Sequence, residues 1–311
     1  MNAPLPFPFD RRWAVGQAVE LACLLEASAA KIGNVHPAAS FSDMNFSHFL
    51  ASATAIAPIF QLPMWHDAPR RESIPSHDAP RRETSLITVG QLVLDSVIAT
   101  RHVVDCNTNL GMLLLFAPIA KAHLLRPTPV ATLQQSILQV LQQLGPSDSQ
   151  QIYLAIRHAA PGGLGKQAQA DVADTAPADL VAAMAKVAHI DAVARQYTNG
   201  FADIFQRLVP WLQAELVQTA QTLEAVCRVQ LRWLAYQPDG LIARKAGPEM
   251  AAQVQQRAAS IKEECLANPA PLAQQPPMIE FDQFLRGDGH RRNPGTTADL
   301  IAAALLVQLL R

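Results

Sequence analysis

Charge of either sign is in short supply in this 311-residue chain, where 25 basic residues against 26 acidic ones leave a formal net charge of −1 and a pI near 6.8. That balance excludes long-range attraction to nucleic acid or an anionic membrane, so any anion site must be a local cluster. Cysteine is equally sparse: Cys23, Cys106, Cys227 and Cys265 fit no CxxC or zinc-finger spacing. That pattern excludes a zinc-finger or CxxC site, and a reduced cytoplasmic chain with buried thiols is the simplest expectation. Long apolar runs are missing too. The strongest, Leu110 to Ala120, is too short to span a bilayer and contains Pro118, which points to a core helix of a soluble protein. Residues 1–12 carry no apolar stretch of the signal-peptide kind and are expected to form a flexible arm. Alanine and leucine outnumber the β-branched and aromatic residues that strands would need.

What is there is helical periodicity with 50% hydrophobic content, enough for a sizeable core. The pattern predicts an all-α fold, a single compact multi-helix domain over residues 13–311. Helices are expected near 14–31, 43–59, 89–104, 109–125, 130–144, 147–159, 178–188, 201–209, 215–234, 248–266 and 297–310. Ser147 with Gln150 reads as a capping box, Pro248 suits a first helical position, and Thr296 or Thr297 can cap the last helix. The sequence His66-Asp-Ala-Pro-Arg-Arg-Glu72 recurs as His77-Asp-Ala-Pro-Arg-Arg-Glu83. It is a polar, proline-containing duplication, and residues 63–86 are expected to be an inserted surface loop.

Familiar catalytic signatures are absent. There is no HExxH and no GxSxG, and Lys166 lacks both the upstream glycine spacing and the following Ser or Thr of a Walker A loop. The histidines are scattered, and none is assigned to metal. Present instead are four polar turns rich in Gly and Asn, each beside an apolar helical stretch. They are Lys31-Ile-Gly-Asn-Val-His36, Asn107-Thr-Asn-Leu-Gly111, Pro161-Gly-Gly-Leu-Gly165 and Asn293-Pro-Gly-Thr-Thr-Ala-Asp299. Glycine permits close backbone approach to a ligand, and helix starts offer unpaired NH groups to anions, so four such turns suggest a phosphate-rich ligand held at helix ends.

Glu20-Leu-Ala-Cys-Leu-Leu-Glu26 running into the first turn, followed by Asn107-Thr-Asn-Leu-Gly111, resembles the ATP:dephospho-CoA triphosphoribosyltransferase family. Asp171, Asp191-Ala-Val-Ala-Arg-Gln-Tyr197, Pro238-Asp-Gly-Leu-Ile-Ala-Arg-Lys245 and the last turn extend the likeness in order over nearly the whole chain. The resemblance implies an all-helical pentosyltransferase that joins the triphosphoribosyl part of ATP to the 2'-hydroxyl of 3'-dephospho-CoA, releasing adenine. Its partners would be ATP, Mg2+ and dephospho-CoA or another small-molecule acceptor, with no nucleic acid and no membrane. A homo-oligomer is left open.

The resemblance also sorts the residues. Lys31, Arg244 and Lys245 are the cations for phosphate, with Gly33, Gly162, Gly163 and Gly295 bringing backbone NH groups near it. Glu26, Asp171, Asp191 and Asp299 are the carboxylates for general-base work, and Glu26, Asp191 and Asp299 also for Mg2+. Asn34, Asn107 and Asn109 suit ribose hydroxyls or an adenine edge.

Plainer roles compete with these. Asp299 could only charge a helix start, Asp191 could pair with Arg195, and Gly111 and Gly165 could simply allow close packing. A Glu26–Lys31 pair has a poor spacing for one helix, so a ligand role is favoured there. Pro294-Gly-Thr-Thr-Ala-Asp299 stands where citrate-lyase-associated members tend to have Pro-Gly-Gly-Ser-Ala-Asp, and it resembles a divergent branch. A related ribosyl transfer to another acceptor, such as a methanopterin-type one-carbon carrier, is therefore the second reading. A non-catalytic nucleotide-binding protein is the third.

Overall fold

A computed structural model describes residues 8–65, 87–125, 132–159 and 176–311. Fourteen α-helices and no strands occur among them. In chain order they are α1 (Val15–Ser28), α2 (Phe46–Trp65), α3 (Val89–Arg101), α4 (Leu110–Leu124), α5 (Leu133–Gln142), α6 (Pro146–Ala159) and α7 (Leu180–Val187). Then follow α8 (Ala192–Asn199), α9 (Val209–Thr219), α10 (Thr222–Tyr236), α11 (Gly240–Ala246), α12 (Pro248–Ala267), α13 (Pro276–Arg286) and α14 (Gly295–Leu309). A π-helical turn, Ile204–Leu208, leads directly into α9.

The last helix organises the rest. From Thr296 to Leu309 every residue of α14 is buried except Asp299. A helix apolar on all sides must be surrounded, and α14 packs against α1, α4, α8, α9, α10 and α11. Pro118 inside α4 removes one helical NH without ending the helix, and its neighbours from Met112 to Ala120 are all buried.

Several local expectations need correction. The helix expected over 215–234 is two, because Ala220 takes a left-handed conformation (φ 52°) that ends α9. The stretch expected over 201–209 runs unbroken through the π turn into α9, and α2 continues past residue 59 to Trp65. Helices α8, α11 and α13 escape a periodicity reading because the first two have eight and seven residues and the third starts on Pro276-Pro277. Ser147 caps nothing: α6 starts at Pro146, and Asp148 takes hydrogen bonds from Gly145 N at 3.1 Å and Gly90 N at 2.8 Å. Pro248 does open α12. Of the expected arm, residues 1–7 lie outside the described residues, and the remainder is fixed: Phe9 is buried in the core and the Trp13 indole NH donates to Pro8 O at 3.0 Å.

Candidate functional site

Helix α1 stops at Ser28, and the chain reverses through Ala29 in an extended conformation. Lys31 therefore folds back onto α1 instead of continuing it. Its Nζ lies 2.8 Å from Glu26 Oε1 and donates to Glu26 O at 2.5 Å, with both side chains buried. This corrects the expectation that spacing would keep the two apart, for the spacing rule applies only within one continuous helix. Breaking such a buried pair from one side costs about 3–5 kcal/mol.

The turn beyond is stitched to three other elements. Gly33 sits at φ 69°, and a Cβ there would meet Leu285 and Pro294 at 2.9 Å, so glycine is required on both counts. Its NH donates to Asp282 Oδ1 at 2.7 Å. From α10, the buried Gln230 accepts from Ile32 N (3.0 Å) and donates to Ile32 O (2.9 Å) and Asn34 Oδ1 (2.8 Å). Asn34 Nδ2 reaches Asn293 Oδ1 at 2.7 Å, joining the first polar turn to the last. Arg286, held by Asp282 at 2.8 Å, donates to Asn34 O at 2.5 Å. Beside it, His36 is lowered in pKa by partial burial and then by Arg286 and Lys31, so it is neutral near pH 7.

The starts of α4, α8, α11 and α14 carry the remaining polar residues. Asn107 Oδ1 accepts from Leu110 N at 3.1 Å, while the buried Asn109 exchanges hydrogen bonds with Thr100 (3.0 and 3.4 Å). Asp191 caps α8 through Val193 N and Ala194 N and pairs with Arg244 at 3.1 Å. The expected Asp191–Arg195 pair is replaced: Arg195 binds Asp203 at 2.8 Å and also reaches Gln237. Asp239 caps two helices at once. Its Oδ1 accepts from Leu241 N and Ile242 N of α11, and its Oδ2 accepts from Thr297 N and Oγ1 of α14, both at 2.7 Å. Thr297 is thus a donor within the first turn of α14 and does not cap it as expected.

Asp299 closes the constellation. A Cβ on Gly111 would lie 2.0 Å from Asp299 Oδ2, so the first turn of α4 is notched to receive this carboxylate. Burial first, then repulsion from Glu26, Asp239 and Asp191, hold Asp299 well above the usual carboxylate range, with Arg244 opposing. Asp239 is raised by burial despite its four hydrogen bonds. Burial and then Glu26 and Asp299 push the Cys23 thiol up, so the cysteine bordering the notch is an inert thiol. The structure therefore gathers Glu26, Asp191, Asp299, Lys31, Gly33, Asn34, Arg244 and Gly295 about the start of α14, flanked by Asn107, Asn109 and Lys245. Asp171, Gly162, Gly163 and Gly165 lie outside the described residues.

Among the described residues no three His, Cys, Asp or Glu side chains are placed to hold a metal by themselves. The sequence reading missed Gln230, Asp239, Asp282 and Arg286. Asp239 carried a signal, an Asp before the Gly-Leu-Ile-Ala run of α11. The others act over separations of about 200 residues or more (Gln230 to Ile32 is 198), which local pattern does not reveal.

Residues 12–311 match the sequence-family model for ATP:dephospho-CoA triphosphoribosyl transferase. Comparison with curated proteins finds no match. Among solved structures, a protein from Archaeoglobus fulgidus, provisionally described as a triphosphoribosyl-dephospho-CoA synthase, superposes with a TM-score of 0.58 at 20% identity. The match covers 84% of this chain and 97% of that one, and at this identity it shows a shared fold.

Proposed function

The chain belongs to the ATP:dephospho-CoA triphosphoribosyl transferase family, and from that premise we propose that the Asp299 notch is where the transfer takes place. The activity is the movement of a triphosphoribosyl group from ATP to dephospho-CoA. One observation carries the assignment to this place: Asp299 is the one residue from Thr296 to Leu309 that is only partly buried, and it faces Gly111 with three further carboxylates around it.

Substitution at the anomeric carbon of ATP develops positive charge on the ribose, as in glycoside chemistry. The acidic surroundings of Asp299 favour such a cation. A carboxylate whose pKa is raised above the usual range also makes a stronger base. Asp299 takes the proton of the acceptor 2'-hydroxyl, the new C–O bond forms at the anomeric carbon, and the C–N bond to adenine breaks. Adenine leaves with one proton, so the reaction consumes none overall. Asn107 has its carbonyl oxygen committed to Leu110 N, which leaves its amide NH2 for a ribose hydroxyl or the adenine edge. Asn34 and Asn109 hold the turns that shape this wall.

The donor set suits Mg2+, which is commonly held by one or two carboxylates plus substrate phosphates. Asp299 and Asp191 are the carboxylates we assign to it, since the Asp191–Arg244 pair is partly exposed whereas Glu26 is buried against Lys31. When bound, the ion offsets triphosphate charge. No helix among the described residues is long and apolar enough to cross a membrane. Four free cysteines, three of them buried, accord with the reducing cytoplasm as the site of the reaction. Thr296 lends no support to a different acceptor. It is buried, and its hydroxyl lies 3.5 Å from where a Cβ on Gly240 would stand, so its bulk fills a helix contact.

The test is incubation of the purified protein with ATP, Mg2+ and dephospho-CoA, followed by mass spectrometry. Adenine and triphosphoribosyl-dephospho-CoA in equal amounts are expected. Adenine without the coupled product would refute dephospho-CoA as acceptor.

A further inference from the structure

Of the three cations that sequence reading assigns to phosphate, two have their charge answered inside the protein. Lys31 is fully buried against Glu26, and Arg244 is paired with Asp191. Lys245 differs, for its ammonium makes no hydrogen bond or ion pair with any described residue, although the side chain is partly buried. Next to it lies the turn from the end of α13 to Asn293, which carries Arg286, Arg291 and Arg292. Arg291 binds the main-chain oxygen of Lys245 at 3.1 and 3.2 Å, which fastens the turn to the end of α11.

This turn has more donors than acceptors. Arg286 Nη1 and Arg292 Nε are buried with no hydrogen-bond partner. The nearest carboxylate to Arg292 Nε is Asp288, 3.9 Å away and too distant for a hydrogen bond. Asp282 is engaged with Arg286 and Gly33, and Asp43 with His290 at 3.2 Å, so neither supplies the missing acceptor. Buried donors left unsatisfied are costly, and two within one turn favour an acceptor-rich partner. The turn is also accessible: no atom lies within 4 Å of where a side chain at Gly289 would begin. It adjoins the transfer site, since Asn293 holds Asn34 and Arg244 faces Asp191 and Asp299.

We infer that Lys245 and the Arg286–Arg292 turn form the rim that holds the triphosphate of ATP, while Lys31 serves as an internal strut under the first turn. The inference rests on the assignment of the transfer to the Asp299 notch. A polyphosphate supplies many oxygens and several negative charges, and planar guanidinium groups with one free ammonium match both.

Binding of inorganic tripolyphosphate, ATP and adenosine by calorimetry tests it. Lys245→Ala and Arg292→Ala are each expected to weaken tripolyphosphate and ATP by roughly ten- to a hundredfold, leaving adenosine unchanged. Lys262→Ala removes the same charge from a surface pair with Glu263 and is expected to change none of the three. Lys245→Ala loses no internal bond and should keep the wild-type melting temperature, so misfolding does not obscure the result. Unchanged tripolyphosphate affinity in both variants, or no tripolyphosphate binding by the wild type, would overturn the inference. Failure of the transfer assignment reads out separately, as absence of coupled product from a wild-type protein that still binds tripolyphosphate through Lys245.

Discussion

Asp299 and Gly111 meet so closely that Gly111 has no freedom to change. Gly111→Ala puts a methyl into the carboxylate, and an overpacking cost of about 1–3 kcal/mol is expected together with loss of transfer. Thermal melting and the adenine assay read the two effects. Asp299→Asn should do the opposite to stability. The folded pKa of Asp299 is raised, so the stability of the wild type is full below the ordinary carboxylate range and declines as pH rises through the raised value. The variant is therefore expected to melt a few degrees above the wild type at neutral pH, with the gap closing toward about pH 4. Its transfer rate should fall by about 10²–10⁴ if Asp299 is the base. A gap that widens on acidification would reverse the sign and remove the electrostatic explanation.

Between elements, single side chains from distant segments hold the turns. Gln230 satisfies the turn after α1 through three hydrogen bonds, so Gln230→Ala leaves buried backbone groups of Ile32 unpaired at a cost of about 2–4 kcal/mol. Urea unfolding measures it. Asp239→Ala uncaps α11 and α14 together, and about 1–2 kcal/mol for each cap is expected. These two residues show where sequence reading stops. The body of α14 is legible, because an unbroken apolar run from Leu300 leaves no other place for it than the core. Its start is misread, because the cap comes from Asp239, 58 residues upstream, and displaces the local candidates Thr296 and Thr297. The same holds for Lys31: its proximity to Glu26 depends on where α1 ends, which the alanines at 27, 29 and 30 do not mark. Turn composition thus points to the walls of the proposed site, while the bonds that set each wall's angle are long-range and invisible to local pattern.

For the whole molecule, the burial of α14 against helices from both halves of the chain leads us to propose one folding unit over residues 13–311. Trp13 stands near the start, and Trp211 and Trp233 pack at 6.3 Å in the second half. Tryptophan fluorescence and far-ultraviolet circular dichroism should accordingly report one coincident urea transition, and two separated transitions would divide the unit. We propose that helix starts from across this unit converge to make Asp299 the base of a dephospho-CoA-dependent transfer. Its most direct test is the rate of adenine release from ATP, with and without dephospho-CoA, in the wild type and Asp299→Asn side by side. Release that requires dephospho-CoA in the wild type and nearly vanishes in the folded variant is the predicted result; release at equal rates in both proteins would contradict it.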